Sequence, residues 1–320
     1  MPTILHTGVP IPNGHYVCLF ALDLTEPQTA VPPPTLRLPV QLRYHIRRDP
    51  TLMNQLAKRS LRIAILDSDP FSRSWNASLL MRDWRTRVFA EIESYAQLET
   101  LLAQSPMPLD FVIADLDNGT ENYALPAVLK LLQENSKKTK LIAIGQKPDE
   151  EALKHFQTSV FAGYLLKSEA QVSLAWAARE CSLGFRVITP GIEVAANRTG
   201  LKLPQNVVVM LEKEAAGFLS SAGQFKVRLA FVMSMERDSI ADEMQLEQDS
   251  VFTLISRLYE SVGVNDLLDD DNWVRLVCEE DPILREKIQA FLENQSGAPG
   301  KESVAYHIVT KPLFRKHFSE

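Results

Sequence analysis

Cysteine, positive charge and long apolar runs are all scarce in this sequence. The three cysteines are widely separated, which excludes a disulfide scaffold or a cysteine-rich zinc module and suits a reducing compartment. The formal net charge of -6 provides no general basic field, so bulk charge does not argue for nucleic-acid binding. The apolar runs are far shorter than a membrane span, and no secretory signal is recognisable. We expect a cytoplasmic protein without a membrane segment.

Motifs of common enzyme classes are also missing. The sequence contains no HExxH metal motif, no P-loop and no GxGxxG after a strand, and its six histidines are dispersed. We therefore expect a protein that is not an enzyme. A length of 320 residues with 45% hydrophobic residues predicts two or three soluble, compact domains.

Residues 1–58 are rich in proline and predict an extended N-terminal extension, whereas a regular alternation of elements begins at Leu61. Five short apolar runs predict strands, and the segments between them predict helices. Asp69 followed by Pro70 marks the start of the first helix. The predicted strands are 61–66, 88–92, 111–114, 141–144 and 164–166, and the last predicted helix is 169–181. This order indicates an α/β fold with a five-stranded, doubly wound parallel sheet.

Functional groups of such sheets gather where the strands end, at their carboxyl edge. Four residues directly follow predicted strands, and we expect them to lie at that edge: Asp67, Asp115, Gly145 and Lys167. An acidic residue of this kind at a strand end is also compatible with a purely structural role.

Three segments at this edge resemble the receiver domains of two-component response regulators. They are LRIAILDSDP at 61–70, DFVIADLD at 110–117 and AGYLLK at 162–167, and the resemblance covers residues 59–183. It implies that Asp115 accepts a phosphoryl group from a histidine kinase. It also implies that Asp67 and Asp115 bind Mg²⁺, and that Lys167 pairs with the phosphate.

The sequence departs from the receiver pattern at two positions. Ser68 stands in place of the second acidic metal ligand, and Gly145 replaces the hydroxyl residue that senses the phosphate. Gly145 and Tyr164 are the residues at the predicted switch positions, although Tyr164 also suits simple core packing. Two alternatives therefore stay open, a receiver that is phosphorylated and one that acts without phosphate.

The following segments resemble the remainder of a NarL/LuxR-type response regulator. FRVITPGIEVA at 185–195 resembles the linker, which we place at residues 184–200. SIADEMQLEQDSVFTLISRLYESVGV at 239–264 resembles a LuxR-type helix-turn-helix, within an all-α output domain at 201–265. Its second helix carries an apolar stripe, formed by Val251, Leu254, Ile255, Leu258 and Val262. This resemblance implies a homodimeric transcription regulator that binds DNA.

The exposed face of this second helix has few basic residues. The positions predicted to face DNA are Gln248, Asp249, Thr253, Ser256 and Arg257. Residues 201–264 contain nine acidic and six basic residues, which is unfavourable for contacts with phosphates. Phe252 on the same face suits a protein contact better than a base edge. A protein-interaction module that does not bind DNA is therefore the alternative function.

Residues 266–320 extend beyond the usual output domain of this family. An acidic cluster at 269–271 precedes a predicted helix at 273–278, and a longer helix is predicted from 282 to 294. Residues 304–309 are predicted to form a strand, followed by a basic tail at 311–317. This extension suits a cover over the output domain or a surface for a partner.

Overall fold

Short apolar segments build a central sheet in this protein, and a computed structural model gives their arrangement. The described residues are 9–10, 16–17, 60–104, 108–117, 124–135, 138–211, 232–261, 264 and 281–317. The chain divides into two units, residues 1–45 and 46–320. In the first unit, β1 (Val9–Pro10) and β2 (Tyr16–Val17) pair antiparallel. All other elements belong to the second unit.

The sheet of the second unit has eight strands in the order β10-β9-β8-β7-β6-β5-β3-β4. Its strands are β3 (Leu61–Leu66), β4 (Thr86–Ile92), β5 (Phe111–Asp115), β6 (Lys140–Gly145), β7 (Phe161–Leu166), β8 (Arg186–Ile188), β9 (Val207–Leu211) and β10 (Leu313–Lys316). All neighbours are parallel except β9 and β10, which are antiparallel.

Alternating apolar side chains make both faces of this sheet hydrophobic. In β3, Ile63 and Ile65 point to one core, whereas Ala64 and Leu66 point to the other, and all four are buried. A parallel sheet of this kind must be covered by helices on both faces. The apolar runs therefore require three layers, with helices on either side of the sheet.

The helices cover the two faces unequally. They are α1 (Pro70–Met81), α2 (Tyr95–Gln104), α3 (Leu125–Asn135), α4 (Glu150–His155), α5 (Lys167–Ala170), α6 (Leu174–Ser182), α7 (Pro190–Arg198), α8 (Arg237–Met244), α9 (Gln248–Ser261), α10 (Pro282–Leu292) and α11 (Lys301–Val309). Helices α1 and α6 pack on one face, and α2, α3, α4 and α7 on the other. Among the described helices, each is too short or too polar to cross a membrane.

The five predicted strands and their parallel pairing are confirmed. Strands β3 to β7 occur in the spatial order β4-β3-β5-β6-β7, which is the 2-1-3-4-5 order of flavodoxin-like sheets. Asp69 caps α1 as predicted, because its side chain accepts a hydrogen bond from the N–H of Phe71. The last predicted helix is wrong in one respect, since it is divided into α5 and α6. Gln171 ends α5 with a left-handed φ of 40°.

The sheet continues beyond the predicted receiver. Residues 184–200, predicted as a linker, contain β8 and α7, and β9 follows in the segment predicted as an all-α output domain. The reason is that β8 and β9 are themselves short apolar strands, with Val187, Ile188 and Val207 buried. They cover the edge of β7, which would otherwise expose unpaired backbone groups.

The C-terminal extension differs from its prediction in two places. Residues 304–309 lie in helix α11 rather than a strand, because most of their side chains are buried within a further helical layer. The predicted basic tail contains β10, and Arg315 binds the carboxylate of Glu193 on α7. His317 Nδ1 lies 2.8 Å from Glu193 Oε1. The predicted helix from 282 is confirmed as α10, whereas 269–271 and 273–278 lie outside the described residues.

A buried ion network joins α10, which forms the C-terminal layer together with α11, to the part of the chain predicted as the receiver. Asp281 Oδ2 lies 2.9 Å from Arg85 Nη1 and 3.1 Å from Arg179 Nε, while Asp281 Oδ1 caps α10 through the N–H of Leu284. Arg85 also binds Asp83, and both side chains are almost completely buried. One carboxylate thus connects β4, α6 and α10.

Hydrogen bonds around α11 strengthen the same contact. Thr310 accepts from Trp176 Nε1 at 3.1 Å and, through its carbonyl, from Ser173 Oγ at 2.8 Å. Tyr306 donates its hydroxyl to the carbonyl of Leu79 at 2.9 Å. The C-terminal layer is therefore an integral part of the second unit and not a separate tail.

We expect Asp281→Ala to lower the free energy of unfolding by about 3–5 kcal/mol, because it leaves two buried arginines without their shared carboxylate. Urea denaturation at neutral pH measures this loss. The matched control is Glu286→Ala on the exposed side of the same helix, which should change stability little. Equal effects of the two substitutions would contradict the role of the network.

The same carboxylate should make the protein sensitive to acid. Burial raises the pKa of Asp281, but Arg85 and Arg179 lower it more, so its pKa in the folded protein lies below the usual value. The stabilisation is therefore complete above about pH 4 and is lost as the pH falls through the folded pKa. We expect the stability difference between wild type and Asp281→Ala to narrow in acid. Urea midpoints measured at several pH values check this, and a difference that widens would count against it.

Candidate functional site

The carboxyl ends of β3, β5 and β7 bring three of the predicted residues together. Asp115 is the last residue of β5, and Asp67 directly follows β3, its neighbour in the sheet. Lys167 follows β7 and begins α5. The side chains of Asp67 and Asp115 are completely buried. The predicted cluster of two carboxylates and one lysine thus exists at this edge.

Lys167 is the cation of the cluster. Its Nζ lies 2.5 Å from Asp115 Oδ2 and 2.7 Å from Asp117 Oδ2, so one ammonium bridges two carboxylates. Asp115 Oδ1 accepts the N–H of Asp117 at 2.9 Å. Ser72 on α1 donates a long hydrogen bond of 3.4 Å to Asp115 Oδ2. Asp115 is therefore held on both of its oxygens.

Burial shifts the pKa values of Asp115 and Lys167 in opposite directions. Burial raises the pKa of Asp115 above its usual value; Lys167 opposes this rise, and the neighbouring charge of Asp67 adds to it. Burial lowers the pKa of Lys167, but its contacts with Asp115 and Asp117 raise it to a greater extent. Lys167 therefore stays an ammonium at neutral pH.

Asp67 retains one oxygen that suits a cation. Its Oδ1 accepts the N–H of Asp69 at 2.9 Å, whereas Oδ2 is buried and has no hydrogen-bond partner among the described residues. Mg²⁺ needs only one or two carboxylates when it keeps most of its waters. Asp67 and Asp115 fit such an ion, but Asp69 is engaged in capping α1. Within the described ranges, no group of three or more His, Cys, Asp or Glu side chains could hold a metal.

Asp117 is a site residue that our reading of the sequence missed. The N–H of Gln146, which follows β6, donates to both of its carboxylate oxygens, at 2.8 and 3.0 Å. With Lys167, these bonds draw the Asp117 side chain back towards Asp115. The signal in the sequence was the DLD segment, whose second acid lies two residues after the predicted acceptor.

The predicted switch residues are both buried in the structure. A Cβ added at Gly145 would lie 3.5 Å from Asp117 Oδ1 and 3.5 Å from the carbonyl oxygen of Lys147, which are ordinary contacts. Tyr164 accepts a hydrogen bond of 2.6 Å from the N–H of Asp149, and burial raises its pKa to about 12. Tyr164 thus ties β7 to the start of α4. A switching role for these two residues stays a prediction.

Helices α8 and α9 form the pair that the sequence predicted. Gln245 ends α8 with a left-handed φ of 53°, and the N–H of Leu246 then bonds to the carbonyl of Ala241 at 2.9 Å. Of the predicted stripe on α9, the residues Val251, Ile255 and Leu258 are buried, Leu254 is half-buried, and Val262 lies outside the described residues.

The residues predicted to face DNA lie along α9. Four of them are exposed and Ser256 is half-buried; the exposed ones are Gln248, Asp249, Thr253 and Arg257. Gln248 Nε2 donates to Asp238 Oδ1 at 3.0 Å, and Thr253 bonds to the carbonyl of Asp249. Asp249, Thr253 and Arg257 also line a shallow groove on this helix. Their role in DNA binding stays a prediction.

Phe252 is conspicuous on the same helix. It is 55% exposed, and the guanidinium of Arg237 on α8 lies 5.3 Å from the centre of its ring. This contact occupies one of the few cations near α9. Exposed aromatic rings are a feature of protein-binding surfaces.

Comparison with known proteins gives matches only among solved structures. No protein-family model matches the chain, and no curated protein matches it. The RcsB response regulator of Salmonella typhimurium is 15% identical, with 64% of this chain and 93% of that chain covered and a TM-score of 0.37. A LuxR-family two-component response regulator from Aurantimonas sp. SI85-9A1 is 24% identical, with 44% and 99% covered and a TM-score of 0.39.

These matches are response regulators, as the sequence resemblance predicted. Identities and TM-scores this low carry no argument of their own. What the structure confirms of the prediction is the 2-1-3-4-5 strand order of residues 61–182, with Asp67, Asp115 and Lys167 together at the carboxyl edge. Three further strands enlarge this sheet, and the helix pair α8–α9 follows it.

Lys167 should stabilise the receiver through its two carboxylates. We expect Lys167→Met to lower the free energy of unfolding by roughly 1–3 kcal/mol at pH 7, because Asp115 and Asp117 lose their shared cation. At acidic pH this loss of stability should be smaller, because the carboxylates of Asp115 and Asp117 can then take up protons in place of the missing cation. Urea unfolding at neutral and acidic pH measures both effects. Lys147→Met, on an exposed loop nearby, is the control, and a loss of similar size there would contradict the expectation.

Proposed function

We propose that this protein is a response-regulator-like regulator of transcription, in which the receiver controls the α8–α9 helix pair. The observation that carries the proposal is one apolar cluster that includes both parts. Leu79 of α1 and Trp176 of α6 pack in the same cluster as Leu258 of α9, together with residues of α10 and α11. A change in the receiver helices can therefore reach the helix pair through direct packing.

Asp115 is the proposed acceptor for a phosphoryl group, with a histidine kinase as the donor. Its carboxylate oxygen would attack the phosphorus of the kinase's phosphohistidine, the N–P bond would break and release the histidine, and Lys167 would neutralise charge on the transferred group. Bound Mg²⁺, held by Asp67 and Asp115, would further neutralise the phosphoryl oxygens.

Ser68 and Gly145 supply neither a second metal carboxylate nor a phosphate-sensing hydroxyl. We therefore favour a receiver that acts with little or no dependence on phosphate.

DNA binding would use the exposed side of α9, with Gln248, Thr253 and Ser256 at base edges and Arg257 at a phosphate. A homodimer would compensate for the weak contribution of each copy, because two helix pairs then bind two half-sites. The proposed role also fits a location in the cytoplasm.

The alternative function is a protein-interaction module that binds no DNA. Its support is the exposed ring of Phe252, together with the excess of acidic residues in 201–264, which opposes contacts with phosphates. Another regulator or a polymerase component is the kind of partner that such a surface fits.

DNA selection followed by a gel-shift assay distinguishes the two functions. We expect the purified protein to select a two-fold symmetric site. The Arg257→Ala variant should bind that site about tenfold more weakly, and the slope of the logarithm of its affinity against the logarithm of salt concentration should be smaller by about one. Arg198→Ala, an exposed position on α7, is the control and should bind like wild type. Failure to select any sequence at moderate salt would exclude the DNA-binding function and favour the alternative. In that case, Phe252→Ser should reduce partner binding.

A further inference from the structure

Two donors converge on the carboxylate of Asp117, which is not required by the receiver mechanism above. Lys167 Nζ lies 2.7 Å from Asp117 Oδ2, and the N–H of Gln146 reaches both oxygens at 2.8 and 3.0 Å. An ammonium and a backbone N–H that point to one place form a binding niche for an anion.

This niche lies directly beside the proposed acceptor. The same Lys167 Nζ is 2.5 Å from Asp115 Oδ2, so the two carboxylates are neighbours around a single cation. A phosphoryl group attached to Asp115 Oδ2 would carry its oxygens towards the donors that Asp117 now engages. Asp117 and a phosphoryl group therefore compete for the same hydrogen bonds.

Gly145 is compatible with this arrangement. A Cβ at this position would lie 3.5 Å from Asp117 Oδ1, an ordinary contact, so the glycine borders the carboxylate without being displaced by it. Gly145 and Asp117 are thus direct neighbours at this edge of the sheet.

We propose that the Asp117 carboxylate fills an oxyanion niche formed by Lys167 and the N–H of Gln146, and so takes the place of a phosphate. It holds the lysine in an anion-bound position without phosphorylation and keeps small tetrahedral oxyanions out. The inference rests on the proposed function only in taking Asp115 as the acceptor beside the niche.

Titration of the full-length protein with inorganic phosphate tests the proposal, with the amide of Gln146 followed by ¹H–¹⁵N NMR. We expect Asp117→Ala to bind phosphate about tenfold more tightly than wild type, since a charged competitor has been removed. The control Glu150→Gln removes one negative charge from an exposed position nearby and should behave like wild type. Asp117→Asn keeps the volume of the side chain and should bind phosphate more tightly than wild type, although by less than Asp117→Ala. If the alanine variant does not fold, the asparagine variant alone is compared with wild type.

Equal phosphate affinity in wild type and the Asp117 variants, or no response in any of them, would overturn the proposal. A gain of the same size in Glu150→Gln would also overturn it, because general charge would then explain the effect. Beryllium trifluoride with Mg²⁺ tests the acceptor separately, since it attaches to the Asp115 carboxylate. A variant that gains phosphate but not beryllium trifluoride supports the niche and contradicts the acceptor role of Asp115.

Discussion

The carboxylate of Asp281 is the interaction on which the arrangement of the second unit depends. It receives Arg85 from the turn before β4 and Arg179 from α6, and it also caps α10. Buried charges are tolerated only when they are paired, so these three elements must be in place together. Helices α1 and α6 and the C-terminal helices α10 and α11 are consequently parts of one packed structure.

At the carboxyl edge of the sheet, by contrast, the chain holds several negative charges around one cation. Two buried carboxylates, Asp67 and Asp115, repel one another, and the ammonium of Lys167 offsets part of that repulsion. Asp117 adds a further negative charge to the same ammonium. The ammonium of Lys167 is therefore shared between two carboxylates of the chain itself, those of Asp115 and Asp117.

Much of the fold could be predicted because it follows from local patterns. The apolar runs before Asp67, Asp115 and Lys167 have the length of buried strands, and Asp69-Pro70 is a helix start by side-chain chemistry alone. Residues 304–309 are an exception. Their apolar character predicts a strand, but they lie in a helix that is buried by helices distant in sequence. Local pattern cannot distinguish the two when nearly every side chain is covered.

The sequence by itself determined the strands of residues 61–166, the α8–α9 pair and the residues at the strand ends, because each is marked by a local pattern of apolar and capping residues. Only the tertiary structure decided that β10 closes the sheet, that Asp281 joins Arg85 and Arg179, and that Asp117 binds Lys167. These contacts join residues that are far apart in sequence or depend on how a side chain turns. Their energy comes from burial and charge pairing, which exist only once the elements have packed.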